Sequence, residues 1–151
     1  MEIGLIADTH NLVRPEALDA LAGVKRIVHA GDVCSPEILE QLRTIAPVDV
    51  IRGNCDYGEW AEPIPLSDTF ELGGVLLHAV HDVETLEIDP RAAGVHVVLS
   101  GHTHEPAELT RDGVLYVNPG SAGPRRFRLP VSLAVMSVRN GRPRIRFVSL
   151  L

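Results

Sequence analysis

Short apolar runs separated by helix-length segments occupy the first third of this 151-residue chain. The runs at residues 2–7, 26–30 and 48–52 have the length and β-branched content of buried strands. One segment between them starts at Pro15 and the other follows Ser35-Pro36, and both carry apolar residues at helical spacing. A β-α-β-α-β order requires parallel strands joined by crossovers, so the pattern predicts an α/β layered fold.

The second half of the chain has a different pattern, because turn dipeptides separate pairs of apolar runs. Gly73-Gly74, Asp112-Gly113 and Asn140-Gly141 each lie between two such runs, which predicts three hairpins. Residues 89–94 predict a short helix, since Asp-Pro opens this segment and glycine ends it. We therefore predict one α/β domain over residues 1–151, with two stacked mixed β-sheets flanked by helices.

Composition restricts both the class of protein and the class of partner. The chain has 14 basic and 20 acidic residues, a formal net charge of −6, which argues against a broad nucleic-acid-binding face. It has 2 cysteines, too few for a disulfide-stabilised secreted domain, and no apolar run approaches the ~20 residues that span a bilayer. No basic leader precedes the first apolar run. We expect a cytoplasmic protein that binds neither membranes nor long nucleic acids.

Potential metal ligands follow five of the apolar runs, at the strand ends where α/β sheets bind their ligands. Two pairs of them have i, i+2 spacing, which in extended backbone directs both side chains to one side of the chain. Carboxylate, amide and imidazole donors suit first-row divalent ions, and seven donors are enough for two ions that share a bridging carboxylate. The candidate ligands are Asp8, His10, Asp32, Asn54, His81, His102 and His104.

The order of these residues resembles that of the calcineurin-like metallophosphoesterase superfamily. The matching blocks are Asp8-Thr9-His10, Gly31-Asp32, Gly53-Asn54, His81 and Gly101-His102-Thr103-His104. The short chain, Cys55-Asp56 and Asn118-Pro119-Gly120-Ser121 resemble the small single-domain prokaryotic phosphodiesterase branch. The resemblance reaches from residue 1 to about residue 129, and it implies a metallophosphoesterase-like αβ sandwich.

The resemblance also implies a role for each candidate ligand. It implies a first metal held by Asp8, His10 and His104. It implies a second metal held by Asn54, His81 and His102, with Asp32 bridging the two ions. The resemblance implies that a hydroxide between the ions attacks phosphorus. Asp32, Asn54 and His102 are the candidate catalytic residues. The predicted function is therefore binuclear metal-dependent phosphohydrolysis of a small phosphodiester, with Mn²⁺ favoured and Ni²⁺, Co²⁺, Fe²⁺ or Zn²⁺ as alternatives.

One departure from the family pattern concerns the proton donor. Larger members have a histidine after the motif asparagine, where this chain has Cys55. A thiol is a poorer proton donor, so we expect diesters and activated esters to be preferred to simple monoesters. Both cysteines, Cys34 and Cys55, fit small buried fillers better than a disulfide pair.

Further residues are expected to assist the site. Cys55, Arg125 and Arg126 are candidate substrate-binding residues. The two arginines form a basic cluster with Arg128, which fits a solvated loop as well as a phosphate anchor. His29 is expected to orient ligands without binding metal.

Two other functions fit the same pattern. A retromer subunit with this short fold serves assembly with an impaired metal site, so a protein-interaction scaffold is the alternative. In the present chain every expected ligand position is filled, which favours the enzyme. Metal-dependent hydrolysis of a carbon-centred ester or amide would use similar ligands. The predicted hairpins leave edge strands, which is compatible with a homo-oligomer.

Overall fold

Ten strands and two short helices follow one another along the chain, and the computed structural model describes all 151 residues. The strands are β1 Glu2–Ile6, β2 Arg26–His29, β3 Val48–Val50, β4 Ser67–Leu72, β5 Val75–Val80, β6 Val97–Leu99, β7 Ala107–Arg111, β8 Val114–Asn118, β9 Ser132–Arg139 and β10 Arg142–Ser149. The helices are α1 Pro15–Ala20 and α2 Pro36–Arg43, and one 3₁₀ turn spans Val83–Thr85. Neither helix has the length or the apolar content to cross a membrane.

The strands form two five-stranded sheets of mixed direction. In sheet A, ordered β10-β9-β1-β2-β3, the first three strands of the chain run parallel and β9 joins β1 antiparallel. In sheet B, ordered β4-β5-β6-β8-β7, the strands β5, β6 and β8 run parallel. The three predicted hairpins are present as β4-β5, β7-β8 and β9-β10. The predicted fold class, α/β with two mixed sheets, is confirmed.

The alternation of side chains along β1 explains how sheet A contributes to two apolar layers. Ile3 points toward sheet B and packs in one cluster with Leu77 and Leu99. Ile6 points to the opposite face and packs in a second cluster with Leu42 of α2. Successive side chains of a strand point to opposite faces, so a nearly continuous apolar run is what a strand buried on both faces requires.

The helices cover sheet A and leave the outer face of sheet B to turns. A small cluster of Val80, Val95, Val98 and Val114 packs there against the turn segments. The helix predicted over residues 89–94 is wrong, because the segment forms hydrogen-bonded turns. Gly94 ends the segment with a φ of 75°, which leaves too few residues for repeated helical hydrogen bonds.

Loops that follow strands of both sheets meet at one edge of the molecule. The Asp8 N–H after β1 donates to the Gly31 carbonyl oxygen after β2, at 3.0 Å. The Gly101 N–H after β6 donates to the His81 carbonyl oxygen after β5, at 2.9 Å. These bonds join the loops within each sheet, and the hydrogen bond between His81 Nδ1 and the Ala30 carbonyl oxygen joins the two sheets. Four loops that carry candidate ligands therefore lie beside one another, as expected for the carboxyl ends of parallel strands.

Candidate metal centre

Left-handed backbone brings the candidate ligands into tight loops. Five of the seven have positive φ angles, namely Asp8 (55°), His10 (44°), Asp32 (59°), His102 (72°) and His104 (65°). Such conformations cost of order 1–3 kcal/mol each and concentrate at functional sites. The extended backbone predicted for the two i, i+2 pairs is therefore wrong. The side chains of Asp8 and His10 still converge, because the loop turns back on itself.

Five of the candidate ligands form one compact cluster around two carboxylates. Asp8 Oδ1 lies 3.8 Å from His10 Nε2, 3.7 Å from His81 Nε2 and 3.6 Å from His104 Nε2. Asp32 Oδ2 lies 3.5 Å from His10 Nε2 and 3.1 Å from His81 Nε2. Four of the five residues are buried, and His10 is partly buried. The structure thus gathers residues from four separate loops into one site.

Unpartnered polar atoms test whether this cluster fits a metal. Asp8 Oδ1, His10 Nε2 and His81 Nε2 are buried without a hydrogen-bond partner, as is His104 Nδ1. A buried polar atom without a partner costs about 1–3 kcal/mol, so this concentration requires a compensating ligand. Carboxylate oxygens and imidazole nitrogens are the donors that first-row divalent ions take. The donor set therefore fits divalent metal ions.

Hydrogen bonds on the far side of the imidazoles orient them. The His81 Nδ1–H donates to the Ala30 carbonyl oxygen at 2.8 Å, which leaves Nε2 to face Asp32. His10 Nδ1 lies 3.7 Å from Cys34 Sγ on the side away from the carboxylates. Metal-binding histidines typically use the second ring nitrogen in this way, which selects the tautomer that presents Nε2 to an ion.

The two carboxylates differ in their readiness to ionise. Burial raises the pKa of Asp8 to about 7, although His81 partly opposes the shift. Burial also disfavours ionisation of Asp32, but neighbouring His81 and the Cys55 N–H lower the pKa of Asp32 to about 2. At neutral pH, Asp32 is therefore the fixed negative charge of the cluster. Burial lowers the pKa values of His10 and His104, so both offer neutral imidazoles.

The remaining two candidate ligands lie at a more open position. Asn54 is exposed, and its Nδ2 lies 3.6 Å from Cys55 Sγ. The His102 side chain is 45% exposed, with Nε2 at 3.8 Å from Asp82 Oδ2. Both residues line a cavity of about 440 Å³ together with His81. The structure places them at the rim of this cavity and outside the buried cluster.

His29 connects two of the ligand loops. It is fully buried, its Nδ1 accepts from the Gly31 N–H at 3.1 Å, and its Nε2 lies 3.0 Å from Thr9 Oγ1. Burial lowers the pKa of His29 to about 3, so the ring is neutral. Gly31 directly precedes Asp32 and Thr9 directly follows Asp8, so these two contacts support an orienting role for His29.

Asp56 organises the site and had no role assigned from the sequence. This buried carboxylate accepts three backbone hydrogen bonds, from the N–H groups of Asp32 at 2.9 Å, Cys34 at 2.8 Å and Gly53 at 2.8 Å. It therefore ties the loop after β2 to the loop after β3. The only signal in the sequence is its position two residues after Asn54.

Asn118 plays a similar part for the last ligand loop. Its Nδ2 donates to the Gly101 carbonyl oxygen and to Thr103 Oγ1, both at 3.0 Å. Its Oδ1 accepts from the Gly120 N–H at 2.9 Å. Through these bonds Asn118, at the end of β8, holds the loop that carries His102 and His104, the two histidines that flank Thr103.

The candidate substrate-binding residues differ in how they relate to the cluster. The Cys55 N–H donates to Asp32 Oδ1 at 2.8 Å, which places this residue directly beside the carboxylates. Arg126 is exposed, yet its positive charge contributes to the pKa shifts of Asp8, His10 and His104. No comparable effect on the cluster comes from Arg125, so the two arginines are not equivalent.

Known proteins of similar sequence and fold indicate the family of this chain. Residues 1–141 match the calcineurin-like phosphoesterase superfamily domain. A probable metallophosphoesterase of Methanothermobacter thermautotrophicus is 38% identical over 133 residues, which cover 80% of this chain and 77% of that protein. Vps29 of Entamoeba histolytica in complex with Zn²⁺ has the same fold, with a TM-score of 0.78, 22% identity and 100% of both chains covered. Yfce, a phosphoesterase from E. coli, has a TM-score of 0.70 at 24% identity and covers 91% of this chain and 88% of its own. The chain therefore belongs to the calcineurin-like phosphoesterase superfamily.

Proposed function

We propose that this protein is a metal-dependent phosphodiesterase with two metal ions bridged by Asp32. The observation that carries the proposal is the position of Asp32 Oδ2, which lies between His10 Nε2 at 3.5 Å and His81 Nε2 at 3.1 Å. Each nitrogen belongs to a different predicted metal site. A carboxylate that is ionised at neutral pH and faces a ligand of each site is what a bridging role requires.

The remaining ligands divide between the two ions. Asp8, His10 and His104 would hold the first, and Asn54, His81 and His102 would hold the second. When bound, the two ions supply Lewis-acid stabilisation of phosphorus and a nucleophile at neutral pH. The mixed oxygen and nitrogen donor set favours Mn²⁺, with Ni²⁺, Co²⁺, Fe²⁺ and Zn²⁺ as alternatives.

The cavity beside the second metal position sets the size of the substrate. Its volume of about 440 Å³ suits a small molecule, and its lining includes Asn54, His81 and His102. We place the ester groups of a small phosphodiester there. The positive charge of Arg126 would attract the phosphate from the side of Asp8 and His104.

The residue after Asn54 supports a diester as the substrate. Burial raises the pKa of the Cys55 thiol, so this group is a weak acid and a poor proton donor for a leaving alkoxide. Substrates whose leaving group needs little protonation are therefore favoured. Hydrolysis of an aryl phosphodiester should exceed that of the matching aryl monoester, and Cys55→His should raise the monoester rate more than the diester rate. A clear monoester preference of the unmodified protein would contradict this assignment.

Asp32→Asn tests the binuclear centre. The asparagine keeps an Oδ1 that can accept from the Cys55 N–H, so the variant should fold, while the loss of the shared negative charge should remove both metal binding and phosphodiesterase activity. Metal content and turnover are measured together, with Asp68→Asn as a control at an exposed carboxylate of β4. Unchanged turnover in Asp32→Asn would rule out the proposal.

A protein-interaction scaffold is the second candidate, and the likeness of the fold to Vps29 favours it. The same metal measurement separates the two functions. A scaffold would show no hydrolysis of phosphodiesters in the presence of bound Mn²⁺, whereas the enzyme would lose its activity on metal removal and regain it on reconstitution.

A further inference from the structure

The thiol of Cys34 lies beside the imidazole of His10, on its side away from the carboxylates, and the thiol of Cys55 is close to both residues. Cys34 Sγ is 3.7 Å from His10 Nδ1. The donor atoms of His10, Cys34 and Cys55 all lie within 4.8 Å of one another. All three residues are partly buried, and neither cysteine forms a disulfide. This thiol cluster is composed of donors distinct from the oxygen-rich set around Asp8.

We infer that Cys34, Cys55 and His10 Nδ1 form a third metal site, selective for a thiophilic ion such as Zn²⁺, Cd²⁺ or Cu⁺. Two sulfur donors and one imidazole are the ligands that soft ions select over carboxylates. Tetrahedral Zn²⁺ with Zn–S bonds of about 2.3 Å places its sulfur ligands roughly 3.8 Å apart. The present separations, within 4.8 Å, approach that value, and small side-chain rotations can close the difference.

The backbone around the thiol cluster is held in place from both sides. The Cys34 N–H donates to Asp56 Oδ1 at 2.8 Å, and the Cys55 N–H donates to Asp32 Oδ1 at 2.8 Å. Cys34 also has a φ of 78°, a conformation that a non-glycine residue keeps only where its surroundings enforce it. The two thiols are therefore brought together by the same loops that position Asp32 and Asn54.

The single imidazole of His10 links this site to the proposed binuclear centre. Its Nε2 faces Asp8 and Asp32, whereas its Nδ1 faces Cys34. Binding of a divalent ion releases one proton from each thiol, and the ion takes the Nδ1 lone pair only when the ring proton moves to Nε2. The ring then offers no lone pair to the first metal position, so an ion at the thiol cluster withdraws His10 from the binuclear centre.

Cadmium is the probe, because a thiolate-to-cadmium charge-transfer band in the near ultraviolet reports sulfur ligation without reference to activity. The 151-residue protein, freed of metal and kept reduced with a phosphine, is titrated with Cd²⁺. The unmodified chain should show this band, saturating at one sulfur-bound ion per chain. Cys34→Ser and Cys55→Ser should each reduce its intensity and weaken Cd²⁺ binding by at least about tenfold. His10→Gln should keep the band and weaken the affinity.

Asp32→Asn distinguishes this inference from the proposed function, on which it does not depend. That variant should lose the binuclear centre and retain the thiolate band, because both thiols and their backbone hydrogen bonds persist. Absence of the band in the unmodified chain, or a band of full intensity in Cys34→Ser, would overturn the third site and leave the phosphodiesterase proposal untouched.

Discussion

Removal of the Asp56 carboxylate is the most direct test of how the fold supports the site. Asp56 is 5% exposed and accepts three backbone hydrogen bonds from two different loops. In Asp56→Ala these three N–H groups lose an acceptor at once. The donors from Asp32 and Gly53 are buried, so water cannot replace the carboxylate without rearrangement of both loops.

The magnitude follows from the number of bonds. A buried donor left without its partner costs about 1–3 kcal/mol, so three donors, of which one is only partly buried, should cost about 4 kcal/mol of unfolding free energy. This is a large share of the roughly 5–15 kcal/mol that stabilises a typical domain. For a chain of this length it corresponds to a decrease in Tm of roughly 10 °C. Metal affinity should fall as well, because the Asp32 backbone would no longer be held.

Denaturant unfolding and calorimetric metal titration measure the two effects on the same sample. Asp68→Ala is the matched control, since it removes an exposed carboxylate that accepts only from the adjacent Thr69 N–H. Asp56→Asn should have an intermediate effect, because its amide keeps one acceptor oxygen. If Asp56→Ala were within about 1 kcal/mol of the unmodified protein and bound metal equally well, the inference that Asp56 ties these loops together would be refuted.

Three further outcomes follow from charge and burial. Burial lowers the pKa of His29 from 6.5 to about 3, so the unfolded state binds more protons between these two pH values. The free energy of unfolding should therefore fall as the pH drops through this range, by up to about 1.4 kcal/mol per pH unit. His29→Gln should reduce this slope, and an unchanged slope in urea unfolding titrations would contradict the prediction. Burial raises the pKa of Asp8 to about 7, so a metal ion that binds at lower pH must displace the carboxyl proton. The metal affinity, measured by calorimetry, should fall by up to about tenfold for each pH unit below 7, and an affinity independent of pH would argue against Asp8 as a ligand. Arg126→Gln should raise KM for an aryl phosphodiester about tenfold, because one charge-assisted contact is lost, whereas Arg125→Gln should have little effect on KM. Equal changes of KM in the two variants would exclude a specific phosphate anchor at Arg126.

Most of the fold could be predicted from the sequence, because it depends on local patterns of residues. The parallel opening depends on strand-length apolar runs separated by crossovers, and the hairpins depend on glycine-containing turns such as Asn140-Gly141. Both features are encoded within a few residues, so they can be predicted without knowledge of the tertiary contacts. The prediction of a short helix over residues 89–94 was wrong, because the local signals of so short a segment are weak and its conformation is decided by packing.

The candidate site divides in the same way. The sequence alone determined the types of the candidate ligands and their positions after strands, which is where open α/β sheets bind their ligands. The assembly of those residues was decided by contacts between distant segments. The His102 N–H donates to Asp8 Oδ2 across 94 positions of the chain, at 3.0 Å.

Tertiary structure alone decided the supporting groups. An aspartate at position 56 or a cysteine at position 34 has many ordinary explanations in a sequence, and neither has a local pattern that indicates its partners. Asp56 becomes an organiser only because folding brings the backbone N–H of Asp32 to its carboxylate, and Cys34 becomes a neighbour of His10 only because two loops adopt left-handed turns. Hydrogen bonding and metal ligation act over about 3 Å, so groups far apart in the chain acquire these roles only when the fold brings them within that distance.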